Sequence, residues 1–529
     1  MSSESSPQVA AAKLGASALP KNHLLIALSV MLATIMQAID GTIANVALPH
    51  IQGSMSATHD QAAWILTSYI VAAAVMTAPS AYLASRFGRK RIFVLSVVGF
   101  TLTSMLCGMA NSVTEMVIYR LLQGALGACL VPLSQAVLLD TYPREKHGIA
   151  MSVFSIGVML APIIGPTLGG YLTESLNWRW VFYINLPLGI VTFAGMMIFL
   201  PESTDKKIEP FDWAGFALLG IAVGATQLML ERGEALDWFD SIEVLIESVL
   251  AGLTLYLFVV HMATAMAAGV KPFFDPSLFN DRNFVMGLCL IFVTGILLMA
   301  TMAILPQFLQ QMLGYPVAMA GELLAPRGFG SMLGMMLAGR LVMRVDARVL
   351  VLAGIAGCTI ALWQMSHFSL DTTRAQLMNS GFLQGFGMGM FVVPLSTLAF
   401  ATLPGALRNE AAALYALLRN VGGSIGISLV VGLLSTQMQI NHAELSERLT
   451  PLNLNLQAAQ ASGAIDFQSV QGLTQLNMET TRQATTIAYL SDFTFLMYIG
   501  LLSMPLVLLM KNPEEQIDGR ELRPLDEHG

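Results

Sequence analysis

"LLQGALGACLVPLSQAVLLDTYP" (residues 121–143) returns about 260 residues later as "FLQGFGMGMFVVPLSTLAFATLP" (382–404). A Leu-Gln-Gly, a Val-Pro-Leu-Ser and a closing proline keep their order inside two otherwise apolar runs. The match extends outward. "AYLASRFGRK" (81–90) returns as "GRLVMRVDAR" (339–348), and Leu48-Pro49 returns as Leu305-Pro306. Polar, glycine and proline positions do not line up this way by chance in apolar sequence. The chain is therefore a duplicated unit, and each copy is built from segments of membrane-spanning length.

Composition agrees. Of 529 residues, 55% are hydrophobic and 12% charged, with mean hydropathy +0.65; no soluble core has that balance. Apolar stretches long enough to span occur near 24–47, 62–84, 92–110, 114–138, 149–172, 179–200, 212–230, 243–262, 284–312, 318–342, 348–366, 376–402, 409–436 and 488–510. The expected fold class is an all-α polytopic membrane protein with about fourteen helices. Helices 1–6 (23–201) and 9–14 (284–510) form two six-helix repeats, and two helices (202–264) are inserted between them. Parallel repeats of this kind are the plan of transporters that rock two halves about a central site.

Lysine and arginine cluster in alternate connections: Arg86, Arg89, Lys90 and Arg91; Arg144 and Lys146; Lys206 and Lys207; Lys271 and Arg282; Arg344 and Arg348. The positive-inside rule then puts these connections, the tail 1–22 and the tail 511–529 in the cytoplasm. The four cysteines fall in different helices, and the eight histidines show no ligand pairing, which argues against a metal-dependent enzyme. A net charge of −7 gives no sign of nucleic-acid binding.

Asp40 lies inside the first apolar run, where an ionised carboxylate costs at least about 3 kcal/mol. It sits about seven residues from the outer end of helix 1, and Arg120 about seven residues from the outer end of helix 4. At ~1.5 Å per residue both are ~10 Å deep, with Gln37 and Gln123 on the same faces. Burial disfavours the charged form of an acid and a nearby arginine favours it, so such a group exchanges a proton as its surroundings change. The bland alternative is a fixed pair that orients two helices.

Small residues recur every four positions on helix 5 (Gly157, Ala161, Gly165, Gly169) and on helix 10 (Gly330, Gly334, Ala338), a pattern that lets helix backbones approach closely. Arg327 and Arg419 lie near the middle of helices 10 and 13. Two readings of them are open: capping of carbonyls in broken helices, or lining of a cavity that would then suit neutral or acidic amphiphiles. Gln37, Gln123, Gln384 and Met388 are expected in that cavity. Segment 438–487 is long, rich in Gln, Asn and Leu, and external; its leucines could extend helix 13 beyond the membrane.

These motifs resemble those of the major facilitator superfamily, and specifically its fourteen-helix drug:proton antiporter branch of the EmrB/QacA type. "IDGTIANVALP" (39–49) is similar to the branch's first-helix motif, "LASRFGRK" (83–90) to the loop 2–3 signature, and "RLLQG" (120–124) to the fourth-helix motif. "GPTLGG" (165–170) is similar to the antiporter motif and "WRWVFYINLPLG" (178–189) to the sixth-helix start. The resemblance implies proton coupling through Asp40 and Arg120. It implies conformational roles for Arg86, Gly88, Arg89, Asp140, Gly157, Gly165, Pro166, Gly169 and Gly170, with helices 5 and 10 meeting between the halves as a moving seam. The loop signature has Ala81 and Ser85 where the family carries Gly and Asp, which leaves Arg89–Asp140 as its surviving charge pair. The implied function is proton-driven efflux of lipophilic drugs across a bacterial inner membrane, with no cofactor. The implied partners are an EmrA-like periplasmic adaptor protein and an outer-membrane channel. An uptake symporter on the same fold and a membrane receptor that transports nothing are the alternatives.

Overall fold

The computed structural model describes residues 22–511 except 144–145, 203–210, 269–271, 343, 451–452, 454–456 and 458–468. The expectations for the two tails and for the tip of segment 438–487 fall largely outside these residues.

Among the described residues every regular element is helical. The first repeat comprises α1 (His23–Ser54), α2 (His59–Thr77, resuming at Ser80–Phe87), α3 (Arg89–Met109) and α4 (Val113–Gly127, resuming at Leu130–Thr141). It is completed by α5 (His147–Ser175) and α6 (Trp180–Tyr183, resuming at Asn185–Phe199). The insert supplies α7 (Trp213–Arg232) and α8 (Ile242–Ala267). The second repeat runs through α9 (Arg282–Gln307), α10 (Val317–Leu341), α11 (Ala347–Met365), α12 (Arg374–Ala401), α13 (Arg408–Arg448) and α14 (Val470–Leu508).

Among the described residues, eleven passages are long and apolar enough to span, or twelve counting α2, which bends by 55° at Ala78-Pro79. The other two are α5, part of which is not described, and α10, which carries Glu322, Arg327 and Arg340 within its 25 residues. Pro49 in α1 and Pro306 in α9 sit at matching places in the two copies. Gly88 closes α2 with φ +94°, a conformation that glycine adopts without a Cβ clash, so α3 starts at the next residue.

The halves touch at the end of the bundle that carries the Arg86–Arg91 connection. Ser152 Oγ of α5 donates to Met335 O of α10 at 2.9 Å. A Cβ on Gly148 would stand 2.3 Å from Val342 Cγ1. So α5 and α10 do meet, through Gly148, Ser152, Met335, Gly339 and Val342.

The small-residue stripes themselves point elsewhere. Gly157, Gly165 and Gly169 pack on Met31, Thr42 and Ile43 of α1, while Gly330 and Gly334 pack on the Phe382 and Phe386 carbonyls of α12. Gly170 has open space around it, and the side chain of Pro166 is not described. The expected seam of facing stripes is thus corrected: the stripes bind helices within each half. A small-residue spacing signals a close crossing but not the partner.

The inserted α7 lies against the first half, with Gly220 and Gly224 beside Val75 and Val71 and Arg232 5.0 Å from the Trp64 ring. Helix α8 exposes most of its apolar surface. Helices α13 and α14, 41 and 39 residues long, would each run to about 60 Å, twice the ~30 Å hydrocarbon core. Their far ends form paired arms, joined by His442 and Asn477 at 3.2 Å.

Candidate functional site

Asp40, Arg120 and Gln123 are brought together in the first half, in a layer lined by Ile39, Ile43, Ile65, Cys107, Met116 and Phe182. Asp40 is 0% and Arg120 1% exposed. Arg120 Nη1 donates to Asp40 Oδ2 at 2.6 Å, and Gln123 Nε2 to Asp40 Oδ1 at 2.8 Å. A third donor, Asn185 Nδ2 on α6, reaches Asp40 Oδ1 at 2.7 Å. Arg120 also donates to Gln123 Oε1 (2.8 Å) and, through Nε, to the Ile65 carbonyl (3.3 Å). Its guanidinium carbon lies 4.1 Å from the Tyr69 ring centroid, an attractive placement. Asn185 is oriented by Ser104, which accepts from it at 2.9 Å and donates to the Phe182 carbonyl.

The arrangement suits an ionised carboxylate: three donors on two oxygens, one of them charged, offset the loss of water. A change at Asp40 therefore bears on α4 and α6 together, since its donors come from both.

Depth matching found Asp40 and Arg120, but it did not find Asn185, Ser104 or Tyr69. Asn185 was in view as an amide in "FYINLPLG"; a lone polar residue at the start of an apolar helix was the available signal. Gln37, expected in the substrate cavity, sits beside Tyr69, with its Oε1 buried and without a partner among the described residues.

At the closed end, Asp140 holds two arginines. Arg89 Nη1 is 2.5 Å from its Oδ2, and Arg408 Nη1, from the start of α13, is 2.6 Å from its Oδ1. Arg408 also donates to the Leu139 carbonyl at 3.3 Å. The pair expected within the first half is therefore a three-residue clasp across both halves. Arg408 was not legible as a partner, being one base in an ordinary connection. Arg86 bonds the Tyr82 hydroxyl at 2.5 Å. The clasp is partly solvated, which limits its worth to about 1 kcal/mol. Asp140→Asn is expected to raise opening at this end roughly fivefold, read as faster alkylation of a Ser152→Cys reporter in a cysteine-free background. An unchanged rate would remove the clasp from the conformational balance.

The second half holds the other expected cavity residues less openly. Gln384 and Met388 are each 1% exposed. Gln384 donates to Thr301 Oγ1 at 3.0 Å, and Met388 packs in the main apolar cluster. In this conformation both are interior side chains, because helix depth predicts level but not direction. Arg327 on α10 and Arg419 on α13 form no ion pair and no side-chain hydrogen bond among the described residues; Arg327 Nη2 is buried without a partner.

Two six-helix repeats, the first holding a buried Asp–Arg layer, give the architecture of a polytopic membrane transporter. The Major Facilitator Superfamily model matches residues 30–427, and the chain belongs to that family. It is 33% identical over 487 residues to the Multidrug export protein EmrB of Escherichia coli (strain K12), covering 90% of this chain and 94% of that one. It is 33% identical over 494 residues to the Fatty acid resistance protein FarB of Neisseria gonorrhoeae, covering 92% and 96%. Among solved structures, the human organic anion transporter MFSD10 superimposes with TM-score 0.60 at 13% identity, covering 92% of this chain and all of that one. The proton:xylose symporter XylE gives 0.59 at 12%, covering 94% and 98%. These two show the fold alone. The chain is thus a transporter related to EmrB-type efflux proteins, in a family that works without a cofactor and is not enzymatic.

Proposed function

We propose that this chain exports lipophilic small molecules across a bacterial inner membrane in exchange for protons, with Asp40 as the coupling acid. The observation that carries the reading is the Asp40–Arg120–Gln123–Asn185 layer, a titratable group on α1 sealed from water and tied to α4 and α6. The lysine and arginine distribution assigns the clasped end to the cytoplasm, so the conformation described is closed inward. The arms of α13 and α14 then project outside, where they suit a docking role for a periplasmic adaptor that continues to an outer-membrane channel. The names of the relatives, multidrug export and fatty acid resistance, support efflux as the direction.

Cargo preference follows from charge. Arg327 and Arg419 are deep cations without acidic partners, and Asp40 is already neutralised by Arg120. A permanent cation would meet repulsion in a medium where Coulomb terms are poorly screened, whereas an acidic head group would be held. Export of linoleate from proteoliposomes is the direct test. Arg419→Gln is expected to slow linoleate export about tenfold relative to a neutral lipophile, by loss of a charge-assisted contact. Equal effects on both cargoes would return Arg419 to a structural role.

A further inference from the structure

The second repeat carries a fully buried carboxyl at the depth of Asp40. Asp492 on α14 is 0% exposed, and neither carboxylate oxygen has a hydrogen-bond partner among the described residues. It stands 16 residues from the Leu508 end of its helix, as Asp40 stands 17 residues from the His23 end of α1. At ~1.5 Å per residue both lie about 25 Å from the same end of the bundle.

Repeat register says which position this is. Helix α14 is the second-half counterpart of α6. Past the long connection that only the second copy has, "FYIN" (182–185) aligns with "YLSD" (489–492), an aromatic followed three residues later by a polar side chain. Phe182 and Tyr489 are both fully buried. Asp492 thus occupies the place of Asn185, the amide that holds Asp40.

The rest of the site changes in a consistent direction. Asp40 aligns with Leu297, Arg120 with Gly381, Gln123 with Gln384 and Tyr69 with Arg327. The acid has moved from the first helix of the repeat to the sixth, and the guanidinium from the fourth helix to the second. Arg327 leans over Gly381, whose added Cβ would meet its Cβ at 3.8 Å. Among the described residues it does not bond Asp492, whose two carboxylate oxygens have no partner.

Three helices and the turn Phe308–Met312, which continues α9 and has no titratable side chain, pack against α14, and the charged or titratable side chains of the three helices are few. Helix α9 carries Arg282 and Cys289, α11 carries Arg348 and Cys358, and α13 carries Arg408, Glu410, Tyr415 and Arg419, then His442, Glu444, Glu447 and Arg448 in its arm. Among the described residues none of these groups bonds either carboxylate oxygen of Asp492. An ionised carboxylate with no donor and no counter-charge is not sustained in such surroundings; the group takes up a proton instead.

We propose that Asp492 is a second proton-binding carboxyl, the second half's counterpart of the Asp40 layer, protonated in this conformation and released when α14 separates from its neighbours. The coupling role rests on the proton-driven reading above, but the protonation itself does not. In chemical terms one O–H bond on Asp492 breaks and the proton passes to water on the side then open.

Infrared difference spectra of the lipid-reconstituted protein decide it. At neutral pH the wild type is expected to show the high-frequency carbonyl band of a carboxylic acid that accepts no hydrogen bond. That band should be absent in Asp492→Asn, retained in Asp40→Asn, and lost reversibly on alkalinisation. Absence of the band, or a band that survives unchanged to about pH 10, would overturn the proposal. In linoleate-loaded proteoliposomes, Asp492→Asn should flatten the dependence of the sustained linoleate gradient on ΔpH by about tenfold per pH unit, the driving force of one proton, with recovery in Asp492→Glu. A gradient as steep as wild type would contradict it. If the wild type sustains no linoleate gradient, the cargo reading fails and the infrared titration alone decides Asp492.

Discussion

Asp40→Asn is expected to lose uphill export entirely while inserting and folding. The asparagine keeps the shape and one acceptor for Gln123, Asn185 or Arg120 but cannot carry a proton. Arg120 is then left with no charge partner, so some stability is lost; removal of one member of a buried pair costs about 3–5 kcal/mol in the general case. The measurement is resistance of cells to a panel of toxic lipophiles, with a protonophore control. Resistance in the variant should fall to that of cells without the protein, and the protonophore should have no further effect. Asp40→Glu is expected to keep part of the activity, since it retains the titrating group on a longer stem.

The second large effect separates coupling from architecture. Arg120→Leu leaves Asp40 buried and short of its charged donor, so unfolding in detergent should occur about 3–5 kcal/mol more easily. The double replacement Asp40→Leu with Arg120→Met removes both charges and keeps volume. It is expected to recover most of that stability, because well-packed apolar residues often replace a buried pair at little cost. Transport should nevertheless stay absent in the double variant. A stable double variant that still exports uphill would make the pair a helix-orienting device and nothing more.

What could be read from sequence divides along physical lines. Level in the membrane is a one-dimensional quantity, and apolar run lengths fix it to within a turn. Hence the match of Asp40 with Arg120 was legible, as was the duplicated layout. Direction around the helix axis, and which helix lies opposite, are set by packing across the bundle. That is why the α5 and α10 stripes were assigned to each other when they pack on α1 and α12, and why Met388 and Gln384 proved to be interior. Hydrogen-bond partners that come from distant helices leave almost no local mark. Asn185 and Arg408 carry no motif of their own role, though each completes a group whose other members were recognised. Asp492 shows the converse: its place in the repeat becomes visible only once the Asp40 layer supplies the template.

The most direct test of proton coupling through Asp40 is substrate-driven proton movement. Purified protein is reconstituted with a pH-sensitive dye in the lumen, and an outward-directed gradient of a neutral exported lipophile is imposed without any other driving force. Lumenal acidification is expected in the wild type, coupled to release of the lipophile, and none in Asp40→Asn at equal protein incorporation. Acidification of the same rate and extent in Asp40→Asn would contradict coupling through Asp40.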